Sequence, residues 1–99
     1  MEDLVYYNEL FEIYNELLTD NEKETFKDYY FEDLSLSEIA DNKNVSRAAI
    51  QKTVKNVIDK LVYYEGLLHI CDKNKKLKNM LEINDIKELK DCIKDLLEV

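Results

Sequence analysis

The sequence predicts an all-α chain of about five helices, and three observations carry this prediction. The 99 residues contain no proline and one glycine, and these two residues most often end or interrupt helices. Apolar residues recur at helical spacing along most of the chain. Residues that can cap a helix stand before several of these segments. The length and the composition, 45% hydrophobic and 36% charged, are typical of a single globular domain over residues 1–99.

Two helices are predicted before the centre of the chain. Residues 3–18 place their apolar side chains at i, i+3, i+4 and i+7 and leave one acidic, wet face. Thr19 and Glu22 have the spacing of a capping box, so a second helix is expected to start there and to run to about Phe31.

Residues 35–60 have the pattern of a helix-turn-helix. Ser35 and Glu38 form a second capping box, and Asn44 stands where the turn needs a left-handed backbone. Ser46 is expected to cap the second helix. Such a motif can place its second helix in the major groove of DNA.

The apolar spacing continues beyond the motif. Val45 is expected to fill the corner between the two helices, and the second helix is predicted to extend to about residue 76. Gly66 lies inside this span, and a tolerated glycine is favoured over a break there. A last helix is expected over about residues 85–98, with Ile86, Leu89, Ile93, Leu96 and Leu97 along one face.

The net charge of −8 is unevenly distributed along the chain. Residues 1–41 carry thirteen Asp or Glu and two Lys, whereas residues 42–80 carry nine Lys or Arg and three Asp or Glu. An acidic scaffold is therefore expected to present one basic element, made of the turn, the second helix and its extension.

The outward face of the second helix is the candidate nucleic-acid site. Arg47 and Gln51 are one turn apart and can reach base edges, while Ser46, Lys52 and Lys55 suit phosphates. The alternative is a solvated face on a scaffold that binds no DNA. The predicted nucleic-acid-binding residues are Ser46, Arg47, Ala48, Gln51, Lys52 and Lys55.

The seven tyrosines fall at helical spacing among Leu and Phe, so packing is their predicted role and stacking on single-stranded bases the alternative. His69, Cys71 and Cys92 lack metal-ligand spacing, and two free cysteines are expected. No nucleophile stands with a base or a glycine loop, so neither an enzyme nor a cofactor is predicted. No apolar run reaches the roughly 20 residues of a transmembrane helix, and an acidic N-terminus is unlike a signal peptide.

Residues 17–76 resemble the YlxM family of small bacterial helix-turn-helix proteins, whose domain looks like region four of sigma factors. The residues that carry the resemblance are LLTDNEKETFKDYYFEDLSLSEIADNKNVSRAAIQKTVKNVIDKL and, further on, YYEGLLHI. The resemblance implies a cytoplasmic protein linked to the signal recognition particle pathway. It also implies nucleic-acid contacts at Ser46, Arg47, Gln51, Lys52 and Lys55.

The apolar stripe over residues 54–71 and the apolar face of residues 86–97 exceed what one domain of this size can cover. A homodimer formed through the long helix or through the C-terminal helix is therefore expected, and folding of the last helix back onto its own chain is the alternative. Together these features predict a regulatory, cytoplasmic, DNA-binding protein. The second hypothesis is a protein- or ribonucleoprotein-interaction module that docks through its acidic N-terminal helices.

Overall fold

The computed structural model describes residues 3–98, and this part of the chain contains six α-helices, one short 3-10 helix and no strand. The all-α prediction is confirmed, with six helices where about five are expected. The elements are α1 (Leu4–Tyr14), the 3-10 helix (Asn15–Leu17), α2 (Asp20–Tyr30), α3 (Leu36–Lys43), α4 (Arg47–Leu68), α5 (Ile70–Met80) and α6 (Ile86–Leu97).

The helices form two compact units, α1–α4 up to residue 68 and α5–α6 from residue 69. The assignment of the whole chain to one domain stays a prediction, because one domain can contain two such units.

In the first unit, α1, α2 and α3 all pack against α4. The rings of Phe11 and Phe26 stack with their centroids 4.4 Å apart, and Val57 and Leu61 of α4 have no exposed surface. A second cluster joins α3 to the first half of α4, through Ile39, Ala40, Ile50 and Val54. The core therefore fixes one whole side of α4 along its length.

One polar pair also lies in this core. The hydroxyl of Tyr14 in α1 donates a hydrogen bond of 2.6 Å to Oε1 of Glu65 in α4, and Glu65 is 8% exposed. A buried carboxyl group is costly unless hydrogen bonds compensate it, so this bond ties α1 to the C-terminal half of α4.

Both predicted capping boxes are confirmed. The Thr19 hydroxyl accepts the backbone N–H of Glu22, and the Glu22 carboxylate accepts the backbone N–H of Thr19. Ser35 and Glu38 make the same pair of bonds at the start of α3. The bonds from Ser35 hold the pKa of Glu38 below its usual value. Each box satisfies N–H groups that a helix start leaves without a partner.

The predicted continuous helix to about residue 76 is wrong. The helix α4 ends at Leu68 and α5 begins at Ile70, because His69 between them has a left-handed backbone with φ of 56°. A residue in that conformation cannot continue a right-handed helix. Gly66 lies inside α4, as predicted.

The second unit is a hairpin of α5 and α6. Asp85 caps α6 by accepting the backbone N–H of Lys87, which agrees with the predicted helix over about residues 85–98. Cys71 is buried and Cys92 is half-buried, and no disulfide joins the two. Within residues 3–98 no helix is long and apolar enough to cross a membrane, and no group of side chains could hold a metal ion.

Candidate nucleic-acid interface

The turn between α3 and α4 has the geometry that the sequence predicts, with one exception. Asn44 adopts a left-handed backbone with φ of 62°, and its N–H is bonded to carbonyls at the end of α3. The N–H of Val45 donates to the carbonyl of Ala40 at 3.0 Å. The expectation that Val45 fills the corner is wrong, because its side chain is 47% exposed.

Ser46 caps α4, as predicted, since its Oγ accepts the backbone N–H of Ala49 at 3.0 Å. The hydroxyl hydrogen of Ser46 can still be donated to a phosphate oxygen. No acidic residue occupies the first turn of α4, so nothing there opposes the partial positive charge of the helix N-terminus.

The six residues predicted to contact nucleic acid are all exposed. Ser46 caps α4, and the other five lie in its first two and a half turns. Ala48, Lys52 and Lys55 point away from the buried Ile50 and Val54. Arg47 lies on the same side as Val54 and is exposed because it stands at the end of the helix. Within residues 3–98, no hydrogen bond or ion pair engages the side chains of Arg47, Gln51 or Lys52. These three side chains therefore extend from a backbone that the core holds fixed, and they remain available to a ligand.

Lys55 differs from Lys52 in having an acidic neighbour. Its Nζ lies 3.1 Å from Oδ2 of Asp59, one turn further along α4, and both side chains are exposed. The carboxylate reduces the positive potential that Lys55 offers to a phosphate. Of these two candidate phosphate contacts, only Lys55 is paired with an acid within the described residues.

Two further lysines of the basic segment form ion pairs with acidic residues of α2. Lys43, at the end of α3, pairs with Glu24 of α2, and the pair holds the pKa of Glu24 below its usual value. Lys60 of α4 pairs with Glu22 of α2 at 2.7 Å. Both pairs link the helix-turn-helix to α2. They also leave Arg47 and Lys52 as the cations of residues 43–60 that no acid neutralises within the described chain.

The remaining basic residues of the segment, Lys73, Lys75, Lys76 and Lys78, lie on α5 in the second unit. The charge distribution along the sequence predicts that residues 42–80 form one basic element. The structure divides that element between two units, which the charge count alone could not reveal.

A shallow cavity of about 350 Å³ opens beside the predicted site, and Gln51 and Lys55 line it. Tyr29 and Tyr30 of α2 form part of its wall. Burial raises the pKa of Tyr30 above its usual value. The sequence predicts that these tyrosines pack in the interior, and nothing in their spacing indicates that they also border the candidate interface.

The whole chain, residues 1–99, matches the family model for UPF0122, described as "Putative helix-turn-helix protein, YlxM / p13 like". A UPF0122 protein of Mycoplasma capricolum is 43% identical over 102 residues, covering 100% of this chain and 89% of the relative. A UPF0122 protein of Fusobacterium nucleatum is 40% identical over 98 residues, covering 99% and 91%. One from Ureaplasma urealyticum is 42% identical over 87 residues, covering 88% of each chain. The chain therefore belongs to the YlxM/p13-like family of helix-turn-helix proteins.

Proposed function

We propose that this protein binds duplex DNA through the exposed N-terminal half of α4 and acts as a regulator. One observation carries the proposal. Within residues 3–98, the side chains of Arg47, Gln51 and Lys52 make no hydrogen bond or ion pair, and they extend from a helix whose other side is buried. A rigid helix start with free donors is the arrangement that major-groove readers use.

The roles follow from the chemistry of each side chain. Arg47 and Gln51, one turn apart, read guanine and adenine edges, for which guanidinium and amide groups can form paired hydrogen bonds. Ser46 and Lys52 contact phosphates and set the position of the helix, and Lys55 does so more weakly. Ala48 has a small side chain, which allows the DNA backbone to approach α4 closely.

The small number of available cations limits the electrostatic part of binding. Ser46 aside, the face offers Arg47, Lys52 and a partly neutralised Lys55 in a chain of net charge −8. About two or three phosphate contacts would give a log–log salt slope of about −2 to −3. Because so few phosphate contacts are available, a tight complex would also need contacts to base edges and a match to the shape of the DNA.

The test is a fluorescence-anisotropy titration of the full chain with duplex DNA at a low and a moderate salt concentration. We expect binding that weakens with salt, and we expect Lys52→Ala to reduce the slope by about 1. Arg47→Ala should weaken binding by about 5- to 100-fold, the size of a lost bidentate base contact. Lys27→Ala, an exposed lysine of α2, is the charge-matched control. Absence of binding at low salt would refute the proposal.

A variant of Asp59 should strengthen DNA binding instead of weakening it. Replacing it in Asp59→Asn removes a negative charge next to Lys55, so DNA affinity should rise and the salt slope should steepen. An unchanged affinity would mean that the face from Gln51 to Asp59 is not near phosphate.

A second candidate is an interaction module linked to the signal recognition particle, and the acidic surface of α2 favours it. A groove there is lined by Asp20, Lys23, Glu24, Lys27, Asp28, Glu32 and Leu34. A pull-down with signal recognition particle components distinguishes the candidates, because Glu32→Lys should abolish capture while DNA binding persists. We also propose a cytoplasmic location, no catalytic activity and a homodimer.

A further inference from the structure

The exposed side of α4 changes character halfway along the helix. Its C-terminal half carries an uncharged patch of four residues, Val62, Tyr63, Gly66 and Leu67, called the α4 patch below. Val62 is 46% exposed, Tyr63 63% and Leu67 61%. Their spacing (i, i+1, i+4, i+5) places them on one side of the helix.

Gly66, at the centre of this patch, has no explanation within its own chain. Its φ is not positive, so the backbone does not require glycine. A Cβ built there would meet no atom within 4 Å in the described part of the chain, so packing does not require glycine either. Glycine inside a helix costs about 1 kcal/mol relative to alanine. What its missing side chain provides is room for another molecule to approach the helix.

A second copy of the same helix fits this patch. If two α4 helices cross antiparallel with Val62 opposite Leu67 of the other copy, then Tyr63 falls opposite Gly66 by the same register. The Tyr63 ring of each copy would then lie over Gly66 of the other copy. The contact occurs twice because a two-fold axis relates the two copies. Few other occupants are complementary to a ring and a gap three residues apart.

Charge favours the same occupant. The chain has a net charge of −8, so two copies repel each other over most of their surface. The four residues of the α4 patch carry no charge. Two copies that meet through this patch therefore bring no like charges of the patch together. We propose that a second copy of this chain covers the α4 patch, antiparallel, with each Tyr63 ring packed over Gly66 of the other copy.

The pairing also bears on the DNA site proposed above, and only this consequence rests on that proposal. Ala48 and Gly66 are 18 residues apart, about five helical turns, so the part of the DNA face formed by Ala48, Lys52 and Lys55 shares one side of the helix with the α4 patch. Two antiparallel copies therefore turn their DNA faces in opposite directions. One straight duplex cannot engage both faces, so each copy binds its DNA separately.

The test is sedimentation velocity of the full chain over a wide concentration range, with an exchange of the two side chains. A patch of four residues a side is far smaller than a standard interface, so we expect a dissociation constant on the order of micromolar or weaker. Tyr63→Gly and Gly66→Tyr should each weaken association by at least about 10-fold, one by losing the ring and the other by filling the gap. The double variant restores a ring opposite a gap and should recover association to within about 3-fold of the original.

Several outcomes would overturn the pairing. A strict monomer at every concentration is one, and a double variant without recovery is another. Stronger association of Gly66→Tyr alone would mean that added aromatic surface is simply adhesive. Ser37→Tyr, which adds a ring at an exposed position of α3, is the control and should leave association unchanged.

Two further measurements separate this pairing from a loss of folding or of DNA binding. Gly66→Ala should raise the melting temperature, because alanine favours the helix, while weakening association. A general folding defect could not produce this pair of opposite effects. Arg47→Ala should lose DNA affinity and keep association, whereas Gly66→Tyr should do the reverse. If Gly66→Ala leaves association unchanged and Gly66→Tyr does too, the gap has no role.

Discussion

The two units of this chain treat their apolar residues in opposite ways. Every side chain that is buried within residues 3–98, apart from Cys71, belongs to the first unit. In the second unit Leu81, Ile86 and Leu97 are 82%, 69% and 79% exposed. The first unit closes a core around α4, whereas the hairpin of α5 and α6 buries Cys71 alone among its described residues.

The difference shows that an amphipathic pattern and a buried face are separate properties. Helix α6 has a regular apolar stripe in sequence, yet none of its residues is buried. Helix α4 buries Ile50, Val54, Val57 and Leu61 because three other helices pack on it. A stripe predicts where a helix will pack, and only the number of helices available decides whether it does.

The largest expected effect is a difference between truncations in the two units. Phe26→Ala removes a fully buried ring stacked on Phe11, and should lower the free energy of unfolding by about 3–5 kcal/mol. Leu97→Ala, at a 79% exposed position of α6, should change it by less than about 0.5 kcal/mol. Urea denaturation followed by circular dichroism measures both. Equal losses would show that α6 is packed as tightly as the first unit.

The buried pair of Tyr14 and Glu65 should give the next largest effect. Tyr14→Phe keeps the ring and removes the hydroxyl that donates to Glu65 at 2.6 Å. Losing a hydrogen bond to a buried carboxyl group should destabilise the first unit by about 1–3 kcal/mol. The urea midpoint should fall with an unchanged slope. Tyr63→Phe, at an exposed position, is the matched control and should leave the midpoint in place.

Local sequence signals predict the first unit well. Both capping boxes, the left-handed Asn44, the Ser46 cap and the exposed face of α4 follow from residue types at short, fixed spacings. Such features depend on neighbours in the chain, so sequence alone contains them.

Features that depend on tertiary geometry are the ones that the sequence does not reveal. His69 ends α4 in a left-handed conformation, although glycine or asparagine is the usual residue at such a position. The spacing of apolar residues continues across His69, which is why a longer helix is predicted. The pairing of Lys43 and Lys60 with acids of α2 likewise joins residues 19 and 38 positions apart. Only the folded chain shows which cations of the basic segment remain available.

A smaller effect of opposite sign is expected from Thr25, a second buried polar residue of the first unit. Thr25 is fully buried in α2, and within residues 3–98 its Oγ1 has no hydrogen-bond partner. Thr25→Val replaces the hydroxyl by a methyl group of similar size, and should stabilise the first unit by about 1 kcal/mol. The melting temperature measures it. A lower melting temperature would mean that the hydroxyl is hydrogen-bonded in solution.

The ion pair between Glu22 and Lys60 should have the smallest effect on stability. Its contribution can be recognised by its dependence on pH. Burial acts to raise the pKa of Glu22, but hydrogen bonds from Lys60 and from the Thr19 N–H outweigh it and hold the pKa below the usual 4.5. The hydrogen bond with Glu22 raises the pKa of Lys60 above the usual 10.5.

A carboxyl group with a lowered pKa stabilises the fold above its usual value, and that stability is lost as pH falls through the folded-state pKa. For an amine with a raised pKa, stability is present below the usual value and is lost as pH rises through the folded-state pKa. The pair therefore stabilises the first unit between about pH 4.5 and 10.5. Melting temperatures of the original chain and of Lys60→Met should differ in this window and converge below it. A difference that persists in acid would mean that the ion pair with Glu22 is not its cause.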